Sequence, residues 1–114
     1  MIDAASTTIH TALSGLAARQ RALADNIANV STPGFSAGRV DFEDSLSAAV
    51  RRGDPAGADV SVRRSTDAPG LSGTNVQVDS EVVALTDTGL RYNLMIEAMN
   101  AKFRLLRTAI GGGR

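Results

Sequence analysis

The sequence predicts a mainly α-helical protein, with long N- and C-terminal helices paired as an antiparallel coiled-coil hairpin and a short irregular or small β-containing segment in the middle. Three observations carry that reading. Two apolar stripes recur at heptad spacing near the chain ends, a dense run of helix breakers separates them, and the 114-residue chain is too poor in large side chains to fill a thick core.

The first stripe steps alternately by four and three residues through Ile2, Ser6, Ile9, Leu13, Leu16, Gln20, Leu23, Ile27 and Val30. Seven of these nine are apolar, which draws one narrow seam along a helix and requires a partner to cover it. The seam proper is Ile9, Leu13, Leu16, Leu23 and Ile27, and the N-terminal helix is assigned to residues 1–30. It is stopped at Asn29-Val30-Ser31-Thr32-Pro33-Gly34-Phe35. Proline steers Thr32 out of the α region, and Pro-Gly supplies the two central positions of a type II turn.

Residues 31–75 form the corner and a variable middle. Asp41 is placed to cap a short helix whose Phe42, Leu46 and Val50 share a face, ended by Arg51-Arg52-Gly53-Asp54-Pro55. Alternation at Ala58 to Arg63 predicts a short strand that pairs with Thr74 to Val78. The stretch 65–73 between them is rich in turn residues. The second long helix, assigned to 76–110, carries the stripe Val78, Val82, Leu85, Gly89, Tyr92, Ile96, Met99, Phe103, Leu106 and Ile110. Its seam is Val82, Leu85, Tyr92, Ile96, Met99, Phe103, Leu106 and Ile110. At 1.5 Å per residue the helices span roughly 40 to 50 Å each, so they are rods. Residues 111–114, Gly-Gly-Gly-Arg, end the chain as a flexible tail.

Composition removes several function classes. Twelve basic residues balance twelve acidic ones, so the electropositive footprint of a nucleic-acid binder is missing. The balance conceals a gradient: five basic and nine acidic groups in residues 31–90, five basic and one acidic in 91–114. Lys102, Arg104 and Arg107 suit the negative end of a helix dipole, or else an acidic partner. With no cysteine and a single histidine, His10, neither a thiolate nor a histidine-based metal site is available, and no cofactor is expected. Asp41, Glu43 and Asp44 read as a helix start rather than an acid–base pair. Without a nucleophile–base constellation, the chain is not an enzyme. The N-terminus lacks the basic and apolar regions of a secretory signal, and no apolar run is long enough for a membrane anchor.

The corner then becomes specific. Ala24-Asp25-Asn26-Ile27-Ala28-Asn29-Val30-Ser31-Thr32-Pro33-Gly34-Phe35 closely resembles the segment that ends the N-terminal helix in the bacterial flagellar rod and hook family of axial proteins, whose pattern is A-x-N-I-A-N-x-x-T-P-G-[FY]. Arg39-Val40-Asp41-Phe42 is similar to the element that follows the corner in proximal rod subunits. Asn75-Val76-x-x-Asp79-x-Glu81 resembles the opening of their C-terminal helix. Tyr92-Asn93 and Lys102-Phe103-Arg104-Leu105-Leu106-Arg107-Thr108-Ala109-Ile110 resemble the ending of the FlgB type. The likeness spans residues 1–50 and 73–110; the Gly-Gly-Gly-Arg tail departs from it.

The resemblance implies a structural subunit of the proximal rod of the flagellar basal body. Such a subunit polymerises through its terminal helices, transmits torque and lines the export channel. It implies assembly residues Asn26, Ile27, Ala28, Asn29, Thr32, Pro33, Gly34 and Phe35. It also implies export through the flagellar type III apparatus and a place in the rod that crosses the periplasm. The partners it implies are further copies, FlgC-type subunits, the adaptor FliE, the membrane-ring protein FliF and the export gate. The alternatives are a FlgC-type subunit, distinguished by that helix ending, and a free-standing coiled-coil regulatory or chaperone protein.

Overall fold

A computed structural model describes residues 3–111, so Met1, the seam start Ile2 and the tail residues 112–114 lie outside the described part. Helix α1 runs Ala4–Ala28. Asp3 caps it, its carboxylate accepting the Ser6 N–H at 2.8 Å, which satisfies one of the free amides of the first turn. Leu16 and Leu23 are buried beneath it together with Thr11, Ala12, Gly15, Ala18, Ala22 and Asn26, while Ile9, Leu13 and Ile27 are half-buried. The inner face is therefore built mostly from small residues, and neighbouring elements approach it closely.

The chain next forms a two-residue strand β1, Gly38–Arg39, helix α2, Glu43–Arg51, a 3₁₀ turn at Pro55–Gly57 and strand β2, Arg63–Arg64. The strands are antiparallel, Gly38 opposite Arg64 and Arg39 opposite Arg63. The expected pairing of Ala58 to Arg63 with Thr74 to Val78 is not made. Asn75 occupies the place of a ladder: its side-chain oxygen accepts the Ala37 N–H at 2.7 Å, and its amide donates to the Asp67 carbonyl at 3.0 Å. A side chain that serves both backbone partners leaves residues 74–76 no reason to pair as a strand. Asp41 does not cap α2 either. Phe42 takes the cap position without a side-chain bond, and Asp41 faces outward to Arg63 at 2.5 Å. Burying the Phe42 ring outweighs a cap worth about 1 kcal/mol.

Helix α3, Val78–Gly111, has 34 residues and is about 51 Å long. It packs along α1 and runs antiparallel to it: Asn26 meets Glu81 at one end, and Asp3 meets Lys102 at 2.6 Å at the other. The molecule measures 65 × 27 × 14 Å. In the single chain, Leu85, Tyr92, Met99 and Leu106 are half-buried, whereas Val82, Ile96, Phe103 and Ile110 are exposed. The line turned inward is Glu81, Leu85, Thr88, Tyr92, Met95, Met99, Lys102 and Leu106, again in steps of four and three. Glu81, Thr88 and Lys102 on this line each have a partner. Lys102 has Asp3, and the Thr88 hydroxyl donates to the Ala84 carbonyl at 2.7 Å.

The core is thin: Ala12, Leu16, Ala18, Ala22, Val40 and Phe42, with Leu46, Val60, Tyr92 and Met95 against it. Phe42 is its only fully buried aromatic ring and lies where a Cβ on Gly15 would sit, 2.5 Å from the nearest ring carbon. Arg19 lies over that ring, its guanidinium 5.0 Å from the centroid. The same guanidinium donates twice to the Val40 carbonyl, at 2.9 and 2.6 Å, and grips Glu43 through both terminal nitrogens. It holds the Glu43 carboxyl below the usual carboxylate range.

Gly15→Ala overpacks the Phe42 site and destabilises the fold by about 1–3 kcal/mol despite alanine's higher helix propensity. Gly89→Ala, whose new Cβ meets only Gln20 at 3.6 Å, stabilises it by up to about 1 kcal/mol; urea unfolding of both variants measures the contrast. Lys102 and the capped Ser6 amide hold the Asp3 carboxyl well below its ordinary value. A depressed carboxyl stabilises the folded state above its unfolded pKa, and that contribution is withdrawn as pH falls below the ordinary carboxylate range. Acid titration of helicity is therefore expected to show a shallower loss in Lys102→Gln than in the parent.

Candidate assembly site at the corner

Helix α1 ends because Asn29 leaves the helical conformation and becomes its C-cap. Its amide donates to the Asp25 carbonyl at 2.9 Å, and its side-chain oxygen accepts the Thr32 hydroxyl at 3.0 Å. The next turn is closed by the Phe35 N–H donating to the Thr32 carbonyl at 3.1 Å. Pro33 and Gly34 are its central residues, Gly34 at φ +78°. That is the type II geometry the dipeptide requires. No neighbour lies within 4 Å of a Cβ placed on Gly34, so the need for glycine there is conformational rather than steric.

The motif residues divide into a buried and an exposed group. Asn26 is fully buried. Its side-chain amide copies a strand: the oxygen accepts the Gly38 N–H at 2.8 Å and the nitrogen donates to the Gly38 carbonyl at 3.0 Å. The same nitrogen donates to Glu81 at 3.1 Å. Glu81, only 2% exposed on the first turn of α3, also receives Arg39 at 2.9 Å. Four residues from α1, β1 and α3 therefore close one polar knot in which every group has a partner, the condition for burying a carboxylate at all. Ile27 is half-buried, whereas Ala28, Thr32, Pro33 and Gly34 are exposed. Phe35 is half-buried with the Arg64 guanidinium 5.5 Å over its ring.

A second tie lies beside the knot. The buried Thr74 hydroxyl donates to the Val30 carbonyl at 2.9 Å, holding the approach to α3 against the corner. Residue-by-residue reading missed Glu81, Thr74, Arg19 and Arg39 as site residues. Asn75 and Glu81 did carry part of the family likeness, but spacing alone does not show that Glu81, 55 positions away from Asn26, is its partner. Among the described residues no group of three His, Cys, Asp or Glu side chains could hold a metal ion, and no helix is long and apolar enough to cross a membrane. The site is an interlock of hydrogen bonds and an ion pair among its own residues.

Truncation separates the two groups of motif residues. Asn26→Ala strips the buried Gly38 N–H of its acceptor, removes one of the donors to Glu81 while Arg39 remains, and costs about 2–4 kcal/mol; Glu81→Ala costs a similar amount. The double variant loses less than the sum, because the two share one bond. Asn29→Ala, at the half-buried cap, costs about 1 kcal/mol or less. Urea denaturation of the four proteins gives the comparison, and equal losses for Asn26→Ala and Asn29→Ala would show that the knot does not tie the fold.

Comparison with known proteins places this geometry. The family model described as flagella basal body rod protein matches residues 9–35, which are most of α1 and the whole turn. The flagellar basal body rod protein FlgB of Bacillus subtilis (strain 168) is 30% identical over 119 residues, covering 93% of this chain and 92% of the relative. FlgB of Escherichia coli (strain K12) is 29% identical over 98% of this chain and 96% of its own length. The Borreliella burgdorferi FlgB is 28% identical over 89% and 91%. The likeness runs from α1 through the corner and along α3, and the chain belongs to the flagellar basal body rod proteins of the FlgB type, a family of structural rod subunits rather than enzymes.

Proposed function

We propose that this rod subunit occupies the proximal rod and polymerises through α1 and α3, which act as an antiparallel coiled-coil pair and line the export channel. The observation that carries the reading is the apolar surface α3 leaves uncovered: Val82, Val83, Leu90, Leu94, Ile96, Phe103, Leu105 and Ile110 are all exposed in the single chain. A helix that buries one heptad line and exposes a second has two sides to cover, and α1 covers one. Neighbouring subunits covering the other would supply the core that the short chain lacks. Residues 1–30 and 76–110 then serve as axial helices, with 31–75 packed outside and between subunits.

Torque transmission requires a pair that resists sliding. The knot at Asn26 and Glu81 and the Asp3–Lys102 pair tie α1 to α3 near both ends of α1, which supports that role. The Thr32-Pro33-Gly34 tip projects into solvent and is available to neighbours. Further copies, FlgC-type subunits, the adaptor FliE, the ring protein FliF and the export gate are the partners we assign to these surfaces. Delivery by the flagellar type III apparatus into a rod crossing the periplasm is part of the same proposal. The FlgC-type alternative is disfavoured by the FlgB-like ending of α3.

Deleting the gene tests the reading: cells with membrane rings but no rod are expected, and an intact rod would overturn it. Leu90→Asp is the sharper probe. Leu90 is exposed, so the substitution changes the stability of the single chain by about 0.5 kcal/mol, yet swimming is lost at native protein levels. Leu106→Asp, half-buried on the inner line, is expected to lower both stability and swimming.

A further inference from the structure

Helix α3 continues for nine residues beyond the Asp3–Lys102 pair, as Phe103 to Gly111. That tip is apolar on more than one side: Phe103 is 51%, Leu105 69% and Ile110 81% exposed. Phe103, Leu106, Arg107, Ala109 and Ile110 line a shallow cleft of about 480 Å³. Arg104 and Arg107 sit on the tip without an ion-pair partner among the described residues. The helix dipole does not account for them, because its effect is confined to the last turn and the last turn of α3 holds no basic residue.

The opposite end of the 65 Å molecule has the complementary character. Beside the corner, Val30, Leu71, Val76 and Val78 line a cleft of about 400 Å³ that also includes Asp67. Leu71 is fully exposed. Asp79 follows Val78 in the first turn of α3, and neither Asp67 nor Asp79 has an ion-pair partner among the described residues. One end of the rod-shaped chain is basic and apolar, the other acidic and apolar. Tip against tip sets arginine against arginine, and corner against corner sets aspartate against aspartate. Only tip against corner satisfies both charge and apolar surface, and a contact of that heterologous kind repeats without closing.

We propose that the α3 tip of one copy seats in the corner-end cleft of a second copy, so that copies stack head to tail. Phe103 and Ile110 cover Leu71 and Val78, while Arg104 and Arg107 face Asp67 and Asp79. The proposal rests on the rod-subunit reading and gives it an axial contact distinct from the flanks of α3. The patch is small, so in dilute solution the contact is weak and salt-sensitive.

The chain contains no cysteine, which makes disulfide trapping clean. Full-length Leu71→Cys and Ile110→Cys proteins are mixed in equal amounts and oxidised. Random collision gives a mixed dimer at about twice the yield of either homodimer; tip-to-corner docking raises the mixed dimer well above that ratio, and the double variant yields a ladder. Adding Arg104→Glu/Arg107→Glu to the Ile110→Cys protein lowers the mixed yield about tenfold at low salt. Combining it with Asp67→Arg/Asp79→Arg in the Leu71→Cys partner restores the yield. Circular dichroism checks that each variant keeps its helicity. A statistical ratio of dimers, or a mixed yield unmoved by charge reversal, overturns the proposal. It leaves the rod-subunit reading standing as long as the gene deletion removes the rod.

Discussion

The rest of the structure depends on the hydrogen bonds of one buried amide. Asn26 stands at the end of α1 and behaves as a piece of backbone toward Gly38, so β1 begins where it does because a side chain supplies its first partner. The same amide reaches Glu81 and so fixes where α3 starts against α1. Arg39, one residue past Gly38, completes the carboxylate's set. A buried ion pair of this kind gives little net stability compared with an apolar replacement. What it gives is register: α1, β1 and α3 have one arrangement in which all four groups are satisfied. Sliding α3 by a turn would carry the buried Glu81 carboxylate away from both Asn26 and Arg39.

That register controls how the thin core is used. Phe42 is brought to α1 by the short link from Gly38, and it fits because Gly15 presents no side chain and Arg19 lies over the ring. Arg19 then bonds Val40 and Glu43, so one residue links the aromatic anchor, the strand end and the first turn of α2. The middle segment is thus attached to α1 through a few polar bonds and one ring, with little apolar area behind them. A chain built this way leaves its remaining apolar side chains on the outside of α3, the surface proposed above to meet neighbouring subunits.

Family membership rests on a likeness that covers nearly the whole chain, and the family model itself matches α1 and the turn, residues 9–35. The structure divides the recognisable corner into a concealed amide that organises the fold and an exposed Thr-Pro-Gly tip that presents a fixed backbone shape to the surroundings. A pattern read as a single motif therefore has two physical duties. Asn26 and the Asn29 cap face the fold. The surface that the turn projects is the part proposed above for neighbouring subunits.

The sequence by itself determined the two long helices, the break between them and the type II turn at Pro33-Gly34. These depend on local causes: heptad spacing, proline's fixed φ and glycine's access to positive φ. It also placed Leu16 and Leu23 on the buried line of α1. The tertiary structure decided which of two overlapping stripes on α3 turns inward. Leu85, Tyr92, Met99 and Leu106 belong to both, and hydropathy favours Val82, Ile96 and Phe103 over Glu81, Met95 and Lys102. The chain turns Glu81 and Lys102 inward because each meets a partner more than fifty residues away, Asn26 and Asp3. The pairing of β1 with β2, and the use of Asn75 where a strand was expected, have the same origin. A polar side chain is cheap to bury only when its partner is already in place, and the partner's position is a property of the folded chain.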